Sequence, residues 1–175
     1  ATPSHFHVPV SLDVMDRGFD VLCEKPLARK AAEVDSLIAK RESTGKRIFV
    51  YQQSRFAPYF REVRKVIESG VLGRVVMIKI AFNGFARRWD WQTLQDNNGG
   101  NLLNTGPHPL DQALQLFGDA EFPEILCFMD RANTFGDAED HVKLILHGKK
   151  SPTIDLEISS CIDYSPFTYQ VYGTM

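Results

Sequence analysis

Several features are missing from the sequence, and each absence narrows its chemistry. There is no CxxC spacing, and the three cysteines, Cys23, Cys127 and Cys161, are far apart and odd in number. Neither a zinc ribbon nor a disulfide framework is encoded, and their strand-like surroundings predict buried, reduced thiols of a cytoplasmic protein. No apolar run approaches the roughly 18–20 residues of a membrane span; the longest, Val75 to Phe82, is interrupted by Lys79. No basic excess exists, since 20 Lys+Arg stand against 22 Asp+Glu for a net charge of -2, which argues against a nucleic-acid partner. His5-x-His7 has no further ligands nearby, so no metal site is expected. No repeat or low-complexity tract occurs. An initiating Met and a basic-then-apolar leader are missing as well. The chain opens Ala1-Thr2-Pro3 and closes Gly173-Thr174-Met175 straight after a strand-like run, so an upstream segment is expected.

What is present is a core. Of 175 residues, 43% are hydrophobic and 24% charged, with 12 Phe, 5 Tyr and 2 Trp, a composition that folds rather than staying disordered. The length suits one domain or one and a half.

The first third alternates helix and strand. Residues 7–17 read as a helix closed by Gly18, 20–23 as a short buried strand, and 28–44 as a helix stopped by Gly45. Residues 47–51 form the next strand, and 58–69 a helix with Pro58 in its first turn. Strand, helix, strand with short connections is a parallel βαβ unit. Beyond Gly70 to Gly73 the character changes. Residues 74–82, 124–129, 141–147, 153–159 and 167–172 are strand-like, with a single helix at 109–117 between the first two. Ile154, Leu156 and Ile158 alternate with Asp155 and Glu157, so one face of this sheet meets water or a polar partner. The expected fold is therefore α/β plus α+β: a partial parallel sheet followed by an open antiparallel sheet with helices on one face.

Three constellations could carry chemistry. Glu24-Lys25-Pro26 follows the first strand, at the carboxyl end where open parallel sheets bind ligands; a partly desolvated Lys25 there could stabilise or exchange a proton with a reacting oxygen. From the tripeptide alone, a surface Glu–Lys pair before a turn is the simpler explanation. In Gly99-Gly100-Asn101-Leu102-Leu103-Asn104-Thr105-Gly106-Pro107-His108, an early helix start would put Asn104 and His108 one turn apart. His108 at a helix N-terminus suits a neutral general base, although Thr105 or His108 as a mere cap accounts for the pattern too. Phe85 to Trp91, with two Arg and two Trp, suits stacking on a sugar or flat ring, or anchoring a solvated loop.

Together these residues resemble the glucose–fructose oxidoreductase, inositol dehydrogenase and rhizopine-catabolism (Gfo/Idh/MocA) family. The resemblance rests on Ala1 to His7, Gly18, Glu24-Lys25-Pro26-Leu27-Ala28, Tyr51 to Pro58, and the glycine pair followed by Asn104 and His108, where Asn104 replaces the family's usual Asp. It implies that residues 1–57 are the C-terminal part of a dinucleotide-binding Rossmann domain. Residues 58–175 would then be a substrate and oligomerisation domain, with a C-terminal end open to continuation. The phosphate-binding GxGxxG is absent from the sequence and would lie upstream. The implied activity is NAD- or NADP-dependent hydride transfer to or from a sugar, cyclitol or related polyol. Lys25 and His108 would be catalytic; Asn104, Arg55 and Trp89 would contact substrate; Thr2, Pro3, His5, Glu24 and Lys25 would line the cofactor. Asn104 removes a negative charge beside His108, which keeps a non-catalytic sugar- or dinucleotide-binding homologue as the alternative. A fragment retaining only a dimerising sheet is another. Homo-oligomers through the open sheet are expected.

Overall fold

A computed structural model describes residues 2–175, so Ala1, which heads the Thr2 to His7 run, lies outside it. A 3₁₀ turn, Ser4–Phe6, leads into α1 (His7–Asp16), followed by β1 (Val21–Glu24), α2 (Ala31–Thr44) and β2 (Ile48–Tyr51). β1 and β2 pair in parallel, Val21 opposite Ile48 and Glu24 opposite Tyr51, with α2 as the crossover. The start of α2 falls later than the sequence pattern suggests. There the Glu33 carboxylate accepts the backbone N–H groups of Arg29 and Lys30 at 2.8 and 2.9 Å, satisfying donors that helix geometry leaves free. Its end is Gly45, whose φ of 67° costs a glycine nothing.

The first strand corrects one expectation. Only Cys23 of β1 is buried, and Leu22 is 69% exposed. α1 packs on β1 and α2, covering one face of the two-stranded sheet, so alternate side chains point away from any cover.

After a 3₁₀ turn at Gln53–Phe56 come α3 (Pro58–Glu68), β3 (Val75–Asn83), α4 (Asn101–Asn104), α5 (Pro107–Phe117), β4 (Glu124–Asp130), β5 (His141–His147), β6 (Thr153–Ser159) and β7 (Tyr169–Gly173). The strands form one sheet in the order β4-β5-β6-β3-β7. It is mixed rather than wholly antiparallel, because β3 runs parallel to β6, Met77 opposite Thr153 through Asn83 opposite Ser159. The long passage from β3 through two helices and the β4–β5 pair returns the chain to the same end of the sheet, which a parallel neighbour requires. The remaining pairs are antiparallel.

The core lies on one face, where Ile78, Ile80, Leu144, Ile154, Leu156 and Ile158 meet Ala113 and Phe117 of α5. On the opposite face Lys143 is paired with Asp155 and Glu157. The edge strand β4, paired only with β5, is exposed throughout. Cys127 sits on that edge and is exposed, and Cys161 is partly buried; of the three predicted buried thiols only Cys23 is one. No described helix is long and apolar enough to cross a membrane.

Candidate active site

Lys25 leaves the carboxyl end of β1 through a cis peptide bond to Pro26. The buried His7 ring holds this exit, its Nδ1 2.7 Å from the Pro26 carbonyl oxygen. Lys25 is half-buried, and its Nζ donates to the main-chain oxygen of Asn104 at 2.6 Å. Burial pushes the Lys25 ammonium below its usual pKa; Glu24 opposes the shift and the charge of Arg88 adds to it.

The opposite wall begins at the glycine pair. Gly100 has a φ of 98°, and a side chain there would run into the Glu139 carboxylate, which accepts the Leu102 N–H at 2.9 Å. Asn101 Nδ2 donates to the Asp140 carbonyl oxygen at 2.6 Å. α4 ends at Asn104, but Gly106 keeps helical dihedrals of -54° and -35° and leads directly into α5. The helix therefore starts at Pro107 rather than Pro109. Proline is tolerated there because first-turn N–H groups have no intrahelical partner to lose.

His108 lies in that first turn, with Nδ1 3.2 Å from the Ser54 hydroxyl. Burial, and then the charge of Lys25, push the imidazole below its ordinary pKa of 6.5, against smaller opposing effects of Glu24 and Asp111. The end of β1 and the start of α5 thus place an ammonium and an imidazole within each other's field. Beneath them runs a polar scaffold. The fully buried Gln112 donates from Nε2 to the Ser54 carbonyl oxygen at 2.7 Å, and its Oε1 accepts from the Tyr169 hydroxyl. Gln52 Nε2 donates to the Pro107 carbonyl oxygen. Burial drives the Tyr169 phenol pKa up, so it stays a donor.

Two cavities adjoin here. The smaller, about 350 Å³, is lined by His108, Ser54 and Phe56; the larger, about 860 Å³, lies between α3, the ends of β3 and β6, and β7. They share Tyr59 and Phe82.

Not every candidate converges. Lys25, Asn104 and His108 come together. Arg55 is engaged by Asp111 through three bonds of 2.6, 2.8 and 3.0 Å, and lines neither cavity. Trp89 is 87% exposed, and no hydrogen bond or ring contact among the described residues ties it to the cluster. Thr2 is exposed, Pro3 caps the first 3₁₀ turn, and Glu24 is exposed at the end of β1. His5 Nδ1 is buried with no protein partner. Sequence reasoning passed over Ser54, Gln112 and Tyr169. A signal existed for Gln112, a polar residue on a helix whose neighbours are core positions; Ser54 stood in the Gln-Gln-Ser-Arg run beside the Arg that drew attention. Tyr169 gave no signal.

Comparison with known proteins converges on one family. The family model for the GFO/IDH/MocA C-terminal domain matches residues 60–175, and that for the oxidoreductase family with an NAD-binding Rossmann fold matches residues 1–52. The trans-1,2-dihydrobenzene-1,2-diol dehydrogenase of Mus musculus is 32% identical, over 99% of this chain and 51% of its own. The scyllo-inositol 2-dehydrogenase (NADP+) of Bacillus subtilis is 26% identical, over 98% and 48%. A dehydrogenase of Bordetella pertussis, solved with NADH and UDP-GlcNAcA, superposes with a TM-score of 0.85 at 22% identity, covering 99% of this chain and 56% of that one. The chain spans about half the length of the curated relatives it matches.

Proposed function

The chain belongs to the GFO/IDH/MocA oxidoreductase family, and from that premise we propose that it carries the reacting half of an NAD(P)-dependent dehydrogenase acting on an alcohol carbon of a sugar, cyclitol or related diol. The observation that carries this reading is that Lys25, anchored on the Asn104 main chain, lies within the field of His108, which lines the smaller cavity. The division is residues 1–57 for the cofactor side and 58–175 for the substrate side.

The cofactor's residues fit. His5 Nδ1 is a buried ring nitrogen awaiting a partner, and the half-buried Lys25 lies at the carboxyl end of parallel strands. With Thr2, Pro3 and Glu24 they suit the nicotinamide-ribose end of a dinucleotide, NAD or NADP. A bound nicotinamide would supply the two-electron acceptor for the substrate's C–H hydride. Lys25 would stabilise the negative charge that develops on the hydroxyl oxygen. His108, its Nδ1 held 3.2 Å from the Ser54 hydroxyl, would take the hydroxyl proton on Nε2. The products balance: a carbonyl, a hydride delivered, and a proton on His108. Asn104 would orient the substrate with a neutral side chain. Arg55 would act through Asp111 of α5, and the exposed Trp89 would serve at most the outer rim. The same reading includes self-association through the open sheet, which offers Ile125, Leu126, Phe128 and Met129 on its edge strand.

The test is formation of reduced nicotinamide by the protein with a panel of cyclitols, sugars and cyclic diols, alongside Lys25→Ala and His108→Ala. Turnover that collapses in both variants is expected. Near-normal turnover in Lys25→Ala would sink the assignment, and ligand binding without any turnover would make the protein a non-catalytic homologue.

A further inference from the structure

The turn at Gln53–Phe56 is joined to the first turns of α5 residue by residue, and the ionic joint lies outside both cavities. Resting on the dehydrogenase reading, we infer that the Arg55–Asp111 ion pair is a latch that pins the Ser54 turn onto α5, which makes Arg55 a positioning residue for the proposed base His108.

The geometry carries the inference. Gln52 Nε2 donates to the Pro107 carbonyl oxygen, the Ser54 hydroxyl lies 3.2 Å from His108 Nδ1, and Gln112 Nε2 donates to the Ser54 carbonyl oxygen at 2.7 Å. Arg55 completes the series, its Nε and Nη2 donating to both oxygens of Asp111 at 2.6 to 3.0 Å. His108, Asp111 and Gln112 are spaced three and four residues apart, one stripe of the helix. Gln115, four residues beyond Asp111, donates to the same carboxylate at 2.9 Å and fixes its orientation. A guanidinium fork on a carboxylate defines direction as well as distance, which a single hydroxyl at 3.2 Å does not. The turn continues β2, whose Tyr51 lies opposite Glu24, the neighbour of Lys25. Pinning the turn therefore also sets the Lys25 ammonium against the His108 ring, across the boundary between the cofactor and substrate sides.

The pair is poorly placed for other work. Its guanidinium is half-exposed, and a solvated ion pair adds little to stability. Neither partner lines a cavity, so a ligand seated in either would not meet the guanidinium. The latch has an electrostatic side as well. Asp111 stands one turn from His108 and works to raise its pKa, against the larger lowering effects of burial and Lys25. The other charged and titratable groups about the ring are Glu24 beside Lys25 at the end of β1, and the Tyr59 phenol of α3 on the wall of the smaller cavity. Arg55 covers the Asp111 carboxylate with the opposite charge, so the ring meets a neutralised pair in place of a bare anion.

The test uses the full chain with Arg55→Met, Arg55→Lys, Asp111→Asn and the Arg55→Met/Asp111→Asn double variant. Imidazole NMR titration, with the His108 signal identified by its loss in His108→Gln, needs no substrate. The His108 midpoint should rise in Arg55→Met, which leaves the carboxylate bare, fall in Asp111→Asn, and return in Arg55→Lys. The Ala57 amide, which donates to the Ser54 carbonyl oxygen at 3.2 Å, should exchange about tenfold faster in Arg55→Met and Asp111→Asn. With a substrate that turns over, each of these two variants should lose about tenfold in kcat with KM little changed. The double variant should lose no more than the worse single one, and melting temperatures should stay near wild type. A His108 midpoint or an Ala57 exchange rate that neither variant moves, or additive kcat losses, would overturn the latch. So would a loss in Arg55→Met confined to KM, which would make Arg55 a substrate contact. Failure to reduce nicotinamide with any substrate would end the dehydrogenase reading and leave titration and exchange to decide the latch.

Discussion

The Lys25 ammonium donates its hydrogen bond to the main-chain oxygen of Asn104, 2.6 Å away, rather than to the Asn104 side chain. The anchor of the lysine is therefore indifferent to the residue at position 104. Asn104→Ala should leave Lys25 in place and reduce turnover mainly through a higher KM. Lys25→Met, which removes the cation at similar length, should lower kcat by about 10²- to 10³-fold. Paired kinetics on the two variants, with melting temperatures to verify folding, check this. A kcat loss in Asn104→Ala as large as that in Lys25→Met would mean that the side chain, not the backbone, organises the site.

His108 should give the acidic limb of the rate profile. Burial and then Lys25 lower its pKa below 6.5, and the neutral ring is the proposed base, so the rate should rise with pH and level off before neutrality. Replacing Lys25 by Met removes one of the lowering causes, so whatever residual rate remains should have its acidic limb displaced to higher pH. The same shift has a consequence for stability. A group depressed in the folded state contributes stability that is complete above its ordinary value of 6.5 and fades as pH falls through the lower folded value. His108→Gln should flatten that part of the stability curve, measured as urea midpoints across the acidic range.

Ser54, whose hydroxyl lies 3.2 Å from His108 Nδ1, should act as a positioning residue for the proposed base. Ser54→Ala removes the partner of Nδ1 while leaving the Gln112 contact, which uses the Ser54 carbonyl. Turnover should drop by about tenfold with KM little changed. Ser54→Thr, which keeps the hydroxyl, should recover most of the loss. A drop that Thr cannot rescue would mark Ser54 as packing alone.

Much of this arrangement was legible because it rests on local signals. Gly45, the Pro58 helix start and the 2-residue alternation of Ile154, Leu156 and Ile158 are chain-local, and the structure has them where the sequence puts them. Lys25, Asn104 and His108 were legible as types at suggestive places, but their meeting depends on how β1 and α5 dock. The parallel β3–β6 pairing was hidden for the same reason, since strand direction is decided by a long return path that periodicity does not encode. The sequence could not show that the Arg55 guanidinium is held by Asp111, because that pairing depends on how the turn before α3 docks on α5. Cys127 misled because an apolar strand pattern does not say whether the strand is central or at an edge.

Asp140 should be the most acid-sensitive stabilising group on the substrate side. It is 1% exposed, and its carboxylate accepts N–H bonds from Ala132, Asn133 and Thr134 at 2.8, 2.6 and 2.7 Å, fixing the turn after β4. Burial works to raise its pKa, but the three N–H groups outweigh it and hold the carboxyl below its ordinary 3.8. Its contribution is therefore complete above that value and is lost as pH falls through the lower folded one. Asp140→Ala would leave three part-buried backbone donors without their acceptor and should cost about 2 kcal/mol at neutral pH. Asp140→Asn, which keeps the shape but turns part of the acceptor into a donor, should cost somewhat less. Urea unfolding at neutral pH and again at about pH 3 should show the gap between wild type and Asp140→Ala narrowing on acidification. A gap independent of pH would mean that the turn is held by packing, and not by the charge on Asp140.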